Sequence, residues 1–152
     1  MAEASDTSSA RDWSDTAVAE HILRGFGVWA VIGCSSNPMR PSHGVSRFLV
    51  SRGYTVVPIN PRETTVHGQQ AYPDLRSAAA GAAEPIEVVD IFRRSDLVLP
   101  HVEEAIEVGA KAIWMQLGVW NQEAARLAKD EGLLVVMNRC PAIDHPRMVG
   151  GA

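Results

Sequence analysis

Arg40, Arg62, Arg93, Arg94, Arg139 and Arg147 lie far apart along a chain of formal net charge -4, yet each falls in a polar stretch that follows a short apolar run. A guanidinium presents a rigid fork of N–H donors that matches phosphate oxygens. A single loop arginine is ordinarily solvated and carries no function; several that converge on one edge of a fold make a cationic crevice in an acidic protein. The stretch "VWAVIGCSSNPMRPSHGV", residues 28–45, has the layout of one wall of such a site. An apolar strand is followed by Gly33 for a tight turn and by Ser35, Ser36 and Asn37 as amide and hydroxyl donors. A helix then begins near Ser42, His43 and Gly44, with its positive end toward the loop. Neither G-x-G-x-x-G nor G-x-x-x-x-G-K-[ST] is present, so the familiar dinucleotide and P-loop fingerprints are not met.

The elements that must bring these stretches together follow from hydrophobic periodicity. Asp15 caps a predicted helix over 16–26, with Val18, Ile22, Leu23 and Phe26 at helical spacing. Residues 28–32, 54–59, 86–91, 111–115 and 133–137 read as strands. Between them the pattern predicts helices over 42–52, from Pro73, over 100–109, and from the cap Asn121 to about Glu131. This alternation predicts an α/β fold: Rossmann-like, doubly wound, a five-stranded mostly parallel sheet with helices on both faces. Right-handed crossovers then place every strand-to-helix loop at the carboxyl edge of the sheet. Loops 33–41, 60–68, 92–99, 116–120 and 138–147 are expected to share one crevice.

The ligand class narrows at the second of these loops. A nicotinamide dinucleotide that lacks a 2′-phosphate meets an acidic residue at the end of the second strand, where it binds the ribose hydroxyls. Here the sequence is "PINPRE": Asn60 is uncharged, and Arg62 suits an additional phosphate on the ribose. NADP carries one at the 2′ position and coenzyme A at the 3′ position.

The segments "AVIGCSSNPMRPSHGV", "VVPINPRETTVHGQQAYPDL", "VVDIFRRSDLVLPHVEEAIEVGAKAIWMQLGV" and "VVMNRCPAIDHPRM" resemble, in order and with few gaps over 22–148, the small stand-alone CoA-binding proteins. That family is related to the amino-terminal domain of the succinyl-CoA synthetase alpha subunit. The resemblance implies that coenzyme A lies across the carboxyl edge of a Rossmann-like sheet. It assigns Gly33, Cys34, Ser35, Ser36 and Arg40 to the first phosphate loop. Asn60, Pro61 and Arg62 fall to the adenosine and its 3′-phosphate, Ile91, Phe92, Arg93 and Arg94 to the loop over the nucleotide, and Met115, Gln116 and Leu117 to the turn bordering the pantetheine arm. Two departures stand out: the synthetase has a lysine in the segment occupied here by Arg62 and Glu63, and Cys34 replaces a small residue. The synthetase also needs a second domain bearing a phosphohistidine and a partner subunit. No motif of this chain supplies that step, so ligase activity is not inherited from the likeness.

The expected function is binding of CoA or an acyl-CoA without catalysis, as a sensor, carrier or accessory protein, in a homo-oligomer or with a ligase-type partner subunit. The alternatives are an NADP-binding oxidoreductase or redox sensor, weakened by the missing glycine fingerprint, and the CoA-binding subunit of an acyl-CoA ligase. Candidate reactive groups are few. His43 and His67 lie in or beside the crevice without an evident carboxylate partner, and read as capping or ligand-bonding groups. His101 reads as solvent-facing and His145 as ordering a carboxyl-terminal loop. Asp90 and Asp96 bracket the double arginine and are expected to orient it through ion pairs. Cys34, at a helix amino terminus, has two readings: a thiol activated toward a mixed disulfide with CoA, or a small buried packing residue, which is preferred. Trp29 and Trp114 are expected in the core, with Trp120 near the binding edge.

Composition bounds the rest. The 152 residues make one domain, expected over 15–149 behind a disordered tail of 1–14. The 46% apolar and 21% charged content is that of a folded soluble chain. The negative net charge argues against a broad nucleic-acid surface. No apolar run spans a bilayer, no secretory signal opens the sequence, and a cytoplasmic location is expected. Cys34 and Cys140 have no metal-ligand spacing, so no metal site is expected.

Overall fold

The computed structural model describes residues 13–150. Five strands, β1 Val28–Ile32, β2 Thr55–Ile59, β5 Val88–Ile91, β6 Ala112–Met115 and β7 Leu134–Val136, form one sheet in the order β2-β1-β5-β6-β7. Every pairing in it is parallel. The chain order reverses between β1 and β5, and in open parallel sheets ligands bind outside the carboxyl ends of the strands at such a switch point. The loops after β1 and β5 are therefore the two walls that matter most.

Both faces of the sheet are covered, which is why its strands read as continuous apolar runs. Val28, Ala30 and Ile32 of β1 pack with Leu75, Val98, Val102, Ala124 and Ala128. Those residues belong to or cap the helices α3 Leu75–Gly81, α4 Val98–Glu107 and α5 Gln122–Asp130. Trp29 and Val31 point the other way, into a core with Ile22, Leu23, Leu49 and Trp114. There α1 Thr16–Gly25, α2 Pro41–Ser51 and α6 Pro141–Met148 cover the sheet. The expected caps operate: Asp15 accepts from the Ala17 amide at 2.7 Å, and Asn121 from the Ala124 amide at 2.9 Å. Among the described residues no helix is long and apolar enough to cross a membrane.

Three features depart from the expectations. The loop after β2 contains a small antiparallel hairpin, β3 Thr65–Val66 with β4 Gln69–Gln70. Its two-residue turn has positive φ at both His67 (54°) and Gly68 (76°), the twist that tight hairpins require. Residues 138–147 are not all loop: α6 starts with proline in its first turn and continues past Pro146. Of the tail assigned to 1–14, residues 1–12 lie outside the described residues, while Trp13 and Ser14 are tied to the sheet. The Trp13 carbonyl accepts from the Met137 amide at 2.7 Å, and Ser14 Oγ donates to the Met137 carbonyl at 2.5 Å.

Candidate functional site

Gly33 joins the two walls at the switch point. Its amide donates to the Ile59 carbonyl at 2.9 Å, its φ is +80°, and a Cβ there would lie 2.6 Å from the carbonyl oxygen of Phe92. Only glycine permits this approach of the β1 loop to the β5 loop. Gly33→Ala is expected to lower stability by more than the roughly 1 to 2 kcal/mol that a left-handed L-residue costs, as measured by urea unfolding.

Beyond Gly33 the loop is closed on itself. The Ser35 amide donates to Ser42 Oγ at 3.1 Å, and Ser42 Oγ donates to the Gly33 carbonyl at 2.9 Å. The Asn37 amide donates to Ser35 Oγ, the Met39 amide to Asn37 Oδ1, and the Arg40 amide to the Asn37 carbonyl, at 2.9 to 3.0 Å. The amides of Ser35 and Asn37, expected as ligand donors, are thus engaged within the loop. Ser36 differs: its amide and its hydroxyl both donate to Glu63 Oε2, at 2.8 and 3.0 Å. Asn60 adds a second tie, its Nδ2 donating to the Cys34 carbonyl at 3.0 Å while its Oδ1 accepts from the Arg62 amide.

The two crevice histidines brace this loop. His67 Nε2 lies 3.2 Å from the His43 carbonyl, which can only accept, a contact that is a hydrogen bond in the tautomer with the proton on Nε2. The same nitrogen is 2.8 Å from Ser46 Oγ, whose own proton goes to the Ser42 carbonyl at 2.7 Å. Serine and histidine are adjacent here, and in that tautomer the histidine donates to the serine. Burial and the neighbouring His43 lower the His67 pKa, which keeps this neutral arrangement. His43 Nδ1 meets the Ser35 carbonyl at 3.2 Å.

The cations sort into three groups. Arg40, Arg62, Arg93 and Arg94 are exposed at the carboxyl edge, Arg94 with Asp96 at 3.2 Å. Arg139 is structural: it pairs with buried Asp144 at 2.6 Å and donates to the Ser14 carbonyl at 2.7 Å. Arg147 is carried by α6 toward the amino edge, where the next carbonyl, of Met148, accepts from Arg24 at 2.7 Å. Neither belongs to the crevice set. A hollow does lie at the amino edge, lined by Arg24, Gly27, Arg52, Tyr54 and His145. There α1 and α2 end, and their terminal carbonyls disfavour an anion. The carboxyl edge, where α2 begins, favours one.

Ile91 and Met115 have fully buried side chains in the core, so only their backbone borders the crevice. Phe92 is half-buried, Pro61 exposed, Gln116 buried with Oε1 lacking a partner among the described residues, and Leu117 exposed. Trp120 is partly exposed, its amide donating to Ser95 Oγ at 2.9 Å, while Trp29 and Trp114 are fully buried as expected. His101 is half-buried rather than solvent-facing, its pKa lowered by burial and by Arg93. His145 sits on α6 between the rings of Phe48 and Tyr54, where burial lowers its pKa.

Residues 27–146 match the CoA binding domain family. The chain belongs to that family. A relative of this CoA-binding domain, the uncharacterized protein YneT of Bacillus subtilis, is 35% identical over 126 residues, which are 83% of this chain and 90% of that one. A hypothetical protein from Pyrococcus horikoshii superposes with a TM-score of 0.80 at 35% identity, covering 95% of each chain. The fold is also shared with the dinucleotide forming acetyl-coenzyme A synthetase 1 of Ca. Korarchaeum cryptofilum, with a TM-score of 0.61 at 24% identity; there 74% of this chain matches 26% of that one.

Asp90 and Glu63 of the CoA-binding domain depart from the sequence expectations, whereas Cys34 follows the preferred one. Asp90 makes no ion pair with the double arginine: it is fully buried in β5, and neither carboxyl oxygen has a partner among the described residues. Burial raises its pKa well above the usual carboxylate range. Glu63 was not foreseen as a contact of the first loop, and no local signal announces it, since it reaches Ser36 across 27 positions. Cys34 takes the packing role, fully buried, with burial pushing its thiol up to about 11. Native protein incubated with CoA disulfide at pH 7.5 is expected to show no mass adduct at Cys34; an adduct formed faster than unfolding contradicts its packing role. Among the described residues no group of three or more His, Cys, Asp or Glu side chains is placed to hold a metal ion.

Proposed function

We propose that this CoA-binding domain holds coenzyme A, or an acyl-CoA, across the carboxyl edge of its sheet and catalyses no reaction of its own, acting as a carrier, sensor or accessory protein. The observation that carries the reading is the gathering of Arg40, Arg62, Arg93 and Arg94, exposed, on the loops after β1, β2 and β5 around the switch point. A ligand with phosphates at two separated places, a pyrophosphate and a ribose 3′-phosphate, suits cations spread over three loops. The non-catalytic part is supported by the inert setting of Cys34.

Titration calorimetry with CoA, dephospho-CoA, NADP and NAD tests the proposal. CoA is expected to bind most tightly, and dephospho-CoA about tenfold or more weaker, because a charge-assisted contact to the 3′-phosphate is lost. Tight NADP binding without CoA binding overturns the reading in favour of an oxidoreductase or redox sensor. A synthetase-like chain that co-purifies stoichiometrically assigns the accessory role to an acyl-CoA ligase.

A further inference from the structure

The described carboxyl-edge loops carry few acids, and their engagements differ. Asp96 pairs with Arg94 and Asp144 with Arg139, so each neutralises a cation of its own segment. Glu63 instead places Oε2 on the Ser36 amide at 2.8 Å and the Ser36 hydroxyl at 3.0 Å. The amides of Ser35, Asn37, Met39 and Arg40 are closed by acceptors on the same loop or on the first turn of α2. Ser36 alone among them is held by a side chain from another loop, one that can swing away without unfolding the turn. A carboxylate oxygen that accepts an amide and a hydroxyl together does what a phosphate oxygen does in a loop before a helix amino terminus.

We propose that Glu63 is a built-in competitor for ligand phosphate: its carboxylate occupies the anion position of the first loop, and binding requires its displacement. This rests on the reading of the crevice as a phosphate-ligand site and adds a regulatory element to it. Glu63 keeps the donors of Ser36 satisfied and oriented when the crevice is empty. It also lowers affinity, because the incoming anion must break two charge-assisted hydrogen bonds and accept a carboxylate nearby. Residence in the crevice is therefore restricted to ligands whose other contacts, at Arg62, Arg93 and Arg94, outweigh that cost. A lone small anion gains little from the loop while the latch is closed.

The test compares wild type with Glu63→Gln, which keeps the size and an acceptor oxygen but removes the charge, using inorganic pyrophosphate and CoA as separate probes in calorimetry. The variant is expected to bind pyrophosphate and CoA about tenfold more tightly, equivalent to one charge-assisted hydrogen bond. Equal or weaker binding of pyrophosphate by the variant overturns the latch, and weaker binding identifies Glu63 as a ligand contact or a loop support. CoA binding that is unchanged between the two proteins overturns the latch and leaves the CoA reading standing. Tighter pyrophosphate binding with no CoA binding in either protein supports the latch and defeats the CoA reading. Failure of both proteins to bind either probe overturns both.

Discussion

Alanine at Arg62, Arg93 and Arg94 together is expected to weaken CoA binding by about two orders of magnitude or more while leaving the melting temperature nearly unchanged. The three guanidinium groups are exposed, and among the described residues only Arg94 of the three has an ion-pair partner, Asp96, also on the surface. Surface pairs of this kind contribute little to folding. Toward a phosphate, each charge-assisted hydrogen bond contributes about 1.5 to 3 kcal/mol, a factor of roughly 10 to 150 in affinity. Arg62 alone is expected to govern the difference between CoA and dephospho-CoA, because in the proposed pose the ribose 3′-phosphate lies at the loop after β2. Calorimetry on the triple variant, with Arg62→Ala beside it, checks both statements. Unchanged CoA affinity in the triple variant removes the arginines from the site.

The second large effect concerns Asp90. In register it stands opposite Val31 of β1 and Trp114 of β6, with its carboxyl oxygens buried and unpartnered. Burial raises its folded pKa, so the folded protein keeps this proton where the unfolded chain releases it. Below about pH 4, the ordinary carboxylate value, both states hold the proton and Asp90 is neutral in its effect on stability. As the pH rises above that value toward the folded pKa, the unfolded state gains the charge and the folded state does not. Stability is therefore lost at about 1.4 kcal/mol per pH unit through this window. Asp90→Asn cannot ionise and escapes the loss. Its stability relative to wild type, measured by urea unfolding from pH 4 upward, is expected to climb with pH until the folded pKa is passed and to level off above it. Parallel profiles for the two proteins show that Asp90 is charged in the fold.

Much of the frame was legible because its signals are local. β1 has the expected bounds, Asp15 and Asn121 cap the helices they precede, and strands buried on both faces announce a parallel sheet by their unbroken apolar runs. The hairpin and α6 carry the sequence signals of a loop, for physical reasons. Strands of two residues are too short to show a period, and the His67–Gly68 turn lacks the asparagine or aspartate that flags such turns. Pro146 looks like a helix breaker, yet its position near the end of α6 lets the helix tolerate it.

The site was legible as a set of loops and much less as a set of contacts. Strand alternation with crossovers collected the arginines, and that logic holds for Arg40, Arg62, Arg93 and Arg94. It misassigned Arg139, because an ion pair with Asp144 depends on α6, and Arg147, because an unrecognised helix carries it to the opposite edge. Asp90 and the double arginine are neighbours in sequence, but a strand residue covered on both faces of its sheet has no route to a loop guanidinium. The hold of Glu63 on Ser36 arises only where the β2 loop crosses the β1 loop, a tertiary fact that no spacing within either segment encodes.

Backbone amide chemical shifts recorded during a titration with CoA test the central assignment most directly, since they report both binding and its place. Shifts are expected at Gly33, Ser36, Arg62, Arg93, Gln116 and Gly118, on the loops at the carboxyl edge, with Gly25, Gly27 and Gly53 at the amino edge unmoved. Absence of shifts at millimolar CoA, or shifts gathered around Gly27 and Gly53, contradicts a carboxyl-edge CoA site.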